Sequence, residues 1–191
     1  MNTDLIQNRE WIFTFSGKPF WPLNPLPQDV RIEDIAHALS MLCRYAGHVR
    51  EFFSVAQHCV LVSYICGDEH AMWGLLHDAS EAYLCDITKP VKHLTDLAGY
   101  REIERAVQMA VCIQFGLDLD EPPLVKAADQ MVARTEQRDL INMPDGWSVG
   151  DKPVLPFPIV PMKPRQAERA FLERFRELTV KPQPVTGDTT R

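Results

Sequence analysis

No two cysteines in this chain stand at the CxxC spacing of a zinc ribbon or a redox pair. The five present, Cys43, Cys59, Cys66, Cys85 and Cys112, are odd in number and lie mostly in apolar periodic segments. They read as reduced, buried thiols of a cytoplasmic protein. Basic charge is also scarce: 20 Lys and Arg against 26 Asp and Glu leave a net charge of −6. That excludes the basic footprint that tracks a nucleic-acid backbone. No apolar run approaches the length of a bilayer span, and MNTDLIQNREW has neither a basic nor an apolar leader region, so secretion and membrane insertion are not expected. There is no GxxxxGK segment to suggest a kinase or an NTPase motor, and there are no internal repeats.

What remains is a chain of 191 residues, 46% hydrophobic, enough for one globular domain with a sizeable core. Residues 10–30 combine aromatic and β-favouring residues with a Ser16-Gly17-Lys18 turn, which predicts a short N-terminal hairpin before a proline-rich extended stretch. Helical periodicity follows. A helix is predicted from Ile32 to about Tyr45, and a second, capped by Ser54, from Val55 to about Cys66. A third runs from Glu69 to about Leu84, and a long amphipathic one covers residues 95–115 with Leu97, Ile103, Val107, Val111 and Phe115 on one stripe. Pro122 and Pro123 open another that runs to about Ile141. Six prolines between 144 and 164 predict an ordered wrap without regular structure, then a final helix runs from Arg165 to about Leu178. The fold class is all-α with a short hairpin. A single domain is expected over residues 1–180, with a polar, flexible tail over 181–191.

Several ionisable residues fall where these helices should be apolar. His58 shares a face with Val55, Leu61, Val62 and Ile65. His77 and Asp78 sit among Leu75, Leu76 and Ala79, and Asp129 lies with Val125, Val132 and Ala133. Buried carboxylates are almost always paired or metal-bound, because leaving one unpaired is expensive. Two imidazoles and two carboxylates from three helices suit a divalent cation of the Mn, Co, Zn or Mg kind, and the ligand types do not choose among these.

FFSVAQHC (52–59), LLHDASEAYLCDITKPVK (75–92) and VKAADQM (125–131) together resemble the H…HD…D signature of the HD-domain metal-dependent phosphohydrolase superfamily. The resemblance is nearest to its small all-α 5′-deoxynucleotidases and phage-type deoxynucleoside triphosphate triphosphohydrolases. It implies a helical HD domain with His58, His77, Asp78 and Asp129 as metal ligands, Asp78 also serving catalysis. It further implies that Glu81, in HDxxE, handles a proton of the water or leaving group, and that Asp86 contacts the sugar. Phosphate contacts would come from Arg44, Lys92 and Lys126, with Arg50 a competitor for Arg44. Tyr45 is a candidate for base stacking, and His48, in the loop between Arg44 and His58, is a further substrate-binding candidate.

The expected function is hydrolysis of a small deoxynucleotide, with a deoxynucleoside monophosphate as the leading substrate and a triphosphate as the alternative. The cyclic-dinucleotide class is disfavoured because its extra histidine and GYP signatures are missing after His77. A non-catalytic nucleotide- or metal-binding module is the alternative from another class. No nucleic-acid polymer or membrane partner is expected, and the resemblance implies a dimer or larger homo-oligomer.

Overall fold

The computed structural model describes residues 10–148 and 150–180, apart from the side chain of Lys89. The tail expected to be flexible, residues 181–191, lies outside the described residues. The N-terminal turn signal makes a hairpin: β1 (Ile12–Phe13) pairs antiparallel with β2 (Pro19–Phe20), and Gly17 supplies the positive φ of the turn. Phe20, on β2, is fully buried and stacks on Tyr83, at 3.9 Å between ring centroids. The hairpin is tied to the next element by the carboxylate of Asp34, which accepts from the Ser16 amide at 2.6 Å and the Ser16 hydroxyl at 3.0 Å.

Asp34 belongs to α1 (Ile32–Met41), whose Ile35, Ala36 and Leu39 are buried. The sequence predicts this helix as far as Tyr45, but it stops at Met41. Cys43 instead bridges to Ser54 in an antiparallel pair, with the Arg44 amide donating to Phe53 O at 2.9 Å, and tertiary pairing overrides the helical pattern. Arg44–Gly47 then makes an irregular turn in which Tyr45 and Ala46 both adopt left-handed backbone, φ 57° and 51°. L-residues enter that region rarely, and here it swings Arg44 and Tyr45 inward together.

The helix α2 (Val55–Ile65) is capped as expected, with the Gln57 amide donating to Ser54 Oγ at 3.1 Å. It is buried almost all the way round, as a helix apolar on every side must be. Packed on it is α3 (Ala71–Leu76), followed by α4 (Glu81–Leu84), α5 (Lys89–Lys92), α6 (Ala98–Phe115), α7 (Pro123–Leu140) and α8 (Pro164–Thr179). The predicted continuous helix over 69–84 is broken. After Leu76 the amides of Ala79, Glu81, Ala82 and Tyr83 each donate to the carbonyl three residues back, so the chain tightens to three residues per turn. In such a turn side chains at i and i+3 eclipse, which stacks Glu81 over Asp78 rather than beside His77.

Gly74 sets how close α3 comes to α2. A methyl group there would stand 2.6 Å from Cys66 Sγ and 3.1 Å from Ser63 Cα. Gly74→Ala is expected to cost about 1–3 kcal/mol by overpacking and to push His77 away from α2. Chemical denaturation together with a metal titration checks both effects.

Residues 141–148 and 150–163 cross the domain without regular structure. The wrap buries Leu155 and Ile159, and its amides at these positions donate to Thr135 Oγ1 (2.9 Å) and Asp139 Oδ2 (2.8 Å) on α7. Gln57 on α2 holds it from the other side, accepting from the Met162 amide at 2.7 Å and donating to Val160 O at 2.8 Å. Among the described residues, no helix is long and apolar enough to cross a membrane.

Candidate metal centre

His58 projects from the middle of α2, His77 and Asp78 from the tightened turn after α3, and Asp129 from α7. Each histidine has one ring nitrogen already committed. His58 Nδ1 lies 2.6 Å from Glu136 Oε1, and His77 Nδ1 lies 2.8 Å from the Gly74 carbonyl. Both partners are acceptors, so Nδ1 carries a proton on each ring, and wherever a ring is neutral its Nε2 presents a lone pair. Those two Nε2 atoms face each other at 3.2 Å. Around them stand Asp129 Oδ1, 3.2 Å from His58 Nε2, and Asp78 Oδ2, 3.2 Å from His77 Nε2 and 3.7 Å from His58 Nε2.

With both rings neutral the four facing atoms are all acceptors, and they repel one another unless a proton or a cation sits among them. The titration behaviour says the same. Burial alone would lower the His77 pKa, yet the Asp78 charge carries it well above the usual histidine range. Burial opposes ionisation of Asp129, but His58 and His77 hold its carboxyl at about 2, and His77, His58 and Arg44 hold Asp78 lower still. A divalent cation meets this demand with the right donors, two imidazole nitrogens and carboxylate oxygen, and His58, His77 and Asp129 each bring a donor atom within 4.8 Å of the others. The hydrogen bonds at Nδ1 are the supports that metal-bound histidines need, since they fix ring orientation and tautomer.

No family model matches the chain. It is 40% identical over 173 residues to the uncharacterized protein YfdR of Escherichia coli, an alignment covering 88% of this chain and 96% of that protein. The chain belongs to the YfdR family. A second relative, the uncharacterized protein RCAP_rcc00048 of Rhodobacter capsulatus, is 36% identical over 145 residues, 69% of this chain and 74% of that one.

In this YfdR-family chain, the ligand cluster opens on a cavity of about 470 Å³ whose walls include Arg44, Tyr45, Asp86 and Lys92 as well as Asp78, Glu81 and Asp129. Glu81 is buried, and its Oε2 has no hydrogen-bond partner among the described residues. Burial, then the charges of Asp78 and Asp86, push its carboxyl well above the usual range against the opposing pull of Arg44 and Lys92. Lys92 is held 2.5 Å from Glu104 Oε1. Two candidates, Lys126 from the resemblance and His48 from its place in the loop before His58, stand apart: both are exposed and neither lines this cavity. Arg50 is committed elsewhere, donating to Asp139 O at 2.8 Å.

Glu136 is the residue the sequence reading missed. It is fully buried, and besides His58 it accepts from Arg44 Nε at 3.0 Å and the Tyr45 hydroxyl at 2.8 Å. Burial opposes its charge, but Arg44 and His58 hold its pKa at about 2. Its spacing was a usable signal: it lies two helical turns beyond Asp129 and one beyond Val132 on the same face.

Proposed function

We propose that this protein is a metal-dependent phosphohydrolase of the HD superfamily, acting on small deoxynucleotides, with a deoxynucleoside monophosphate as its substrate. The observation that carries this reading is the convergence of His58, His77, Asp78 and Asp129 at the wall of a cavity that the buried Glu81 and the cations Arg44 and Lys92 also line. A divalent cation bound there supplies Lewis acidity towards a phosphoryl oxygen and makes water a stronger acid.

The chain's own residues do the rest. Glu81, protonated more readily than an ordinary carboxyl, gives its proton to the leaving 5′ oxygen, and the carboxylate so formed takes up a proton of the attacking water. Lys92 offsets charge on the phosphoryl oxygens, a large part of the work in phosphoryl transfer. Arg44 faces the same cavity, but its Nε is committed to Glu136, so its contribution is a fixed charge rather than a mobile clamp. Asp86, across the cavity, offers an acceptor to a sugar hydroxyl.

A second reading has one observation in its favour. A second opening of about 320 Å³, which Asp78 and Asp129 also line, has Lys92, Arg101 and Arg105 in its wall beside Glu104 and Glu121, and its basic side chains favour a longer phosphate chain. A deoxynucleoside triphosphate would then be cut to nucleoside and triphosphate. One experiment decides: the purified protein is incubated with Mn, Co or Mg and each deoxynucleoside mono- and triphosphate, and the products are separated. The expected products are a deoxynucleoside and inorganic phosphate. Glu81→Gln is expected to slow this by about 10²–10⁴-fold while retaining metal. Inactivity across the whole panel would remove the proposal.

A further inference from the structure

The cysteine that follows His58 in sequence faces the same cluster from another side. One residue along α2 turns a side chain by about 100°, so while His58 reaches towards α7, Cys59 reaches towards the turn after α3. Cys59 is fully buried and unbridged, and it shares the neighbourhood of His77 and Asp78. One donor atom from each of Cys59, His77 and Asp78 lies within 4.8 Å of the other two. The centre therefore has two overlapping donor sets that share His77. One is nitrogen, nitrogen and oxygen, from His58, His77 and Asp129; the other is sulfur, nitrogen and oxygen.

The other buried thiols are used differently. Cys66 Sγ donates to the carbonyl of His70 at 3.3 Å, and burial and Gln108 are what surround Cys112. A second observation points to a missing ligand beside the cluster. Glu81 Oε2, in a side chain more than nine-tenths buried, has no hydrogen-bond partner among the described residues, and Glu81 lines both openings together with Asp78.

We infer that Cys59, with His77 and Asp78, forms a sulfur-containing face of the metal centre that selects thiophilic divalent cations such as cadmium and zinc over manganese and magnesium. The inference rests on the metal reading under Proposed function and extends it to metal choice. Thiolate sulfur favours soft ions strongly and hard ions weakly, whereas carboxylate and imidazole discriminate much less. A soft ion drawn to Cys59 displaces the thiol proton to solvent and moves away from Asp129. The cluster thus sorts hard and soft ions into different positions. An ion on the sulfur side competes with one on the Asp129 side because both need His77.

Cadmium and manganese are the probes, and the readouts are independent of any enzymatic activity. Wild-type protein, Cys59→Ser and Cys59→Ala are titrated with cadmium, following the ultraviolet thiolate-to-cadmium charge-transfer band. Cys85→Ser, which removes an exposed thiol, controls for surface binding. Manganese affinity is read from the paramagnetic resonance of the free ion. Wild type and Cys85→Ser are expected to develop the band with one equivalent of cadmium. Cys59→Ser and Cys59→Ala should lose it, with cadmium affinity falling by about tenfold or more and manganese affinity much less. Using two replacements guards against one that fails to fold. A band that survives in both Cys59 variants overturns the inference, as does an equal loss of manganese and cadmium affinity, which would make Cys59 a packing residue. A wild-type protein that binds manganese but gives no cadmium band overturns only the sulfur face. One that binds neither ion removes the phosphohydrolase reading as well.

Discussion

Asp78→Asn is expected to reduce phosphate release from a deoxynucleoside monophosphate by about a thousandfold or more, since the Lewis acidity at stake is worth several kcal/mol and each 1.4 kcal/mol is tenfold. Asp78 Oδ2 is where the cluster converges: it lies within 3.7 Å of both histidine Nε2 atoms and 3.5 Å from Arg44 Nη1. Removing its charge leaves the two imidazoles, Asp129 and Cys59 to hold a cation beside a guanidinium whose remaining carboxylate partner is Glu136. Metal content after dialysis, measured alongside initial rates, is expected to fall with the activity. Far-ultraviolet circular dichroism should stay unchanged, because Asp78 is partly exposed and lies in a turn whose backbone bonds do not use its side chain. If Asp78→Asn kept both its metal and its activity, Asp78 would not be a ligand.

The largest effect on stability is expected at Glu136. Its carboxylate is the acceptor for Arg44 Nε, His58 Nδ1 and the Tyr45 hydroxyl; His58 is fully buried, and Arg44 and Tyr45 are partly buried at the cavity wall. Breaking a buried pair by removing one partner typically costs about 3–5 kcal/mol, and Glu136→Ala is expected in that range by urea denaturation. Glu136→Gln keeps an acceptor and the volume, so it should fold better. It should nonetheless bind metal about 10–100-fold more weakly, the usual loss when the group orienting a ligand histidine is changed.

The pH dependence has a definite sign. Glu136 is held at about 2 when folded, below its ordinary 4.5. Its contribution is therefore fully present above about pH 4.5 and is lost as the pH falls towards 2. The stability gap between the metal-free wild type and Glu136→Gln should accordingly be constant near neutrality and close under acid.

How much of this was legible in the residues depended on whether a group interrupts a periodic pattern. His58 and Asp129 stood on apolar stripes, so their inward direction could be read from spacing alone. Glu136 could not be read so easily, because Thr135, Gln137 and Arg138 surround it and the stretch looks like a solvated helix end. Only the three-dimensional arrival of Arg44 and His58 makes its burial tolerable. Cys59 fits any apolar core, and nothing in its spacing says that His77 lies opposite. The break after Leu76 lacks a glycine or proline to announce it, and the helical pattern runs straight through. The hairpin, the Ser54 cap and the stop at Gly116 were readable because each rests on local backbone chemistry.

The clasp that Gln57 makes on the proline-rich wrap bears on where this chain could be cut. The HD-like motifs end near residue 131, which invites truncation at the end of α7. In such a fragment the carboxamide of Gln57, buried one residue before His58, would lose both of its partners at 160 and 162. Each stranded polar group costs about 1–3 kcal/mol, and Leu155 and Ile159 would no longer cover α7. The smallest excisable unit that keeps the metal ligands aligned therefore extends through the wrap to α8, well past the last residue that carries chemistry.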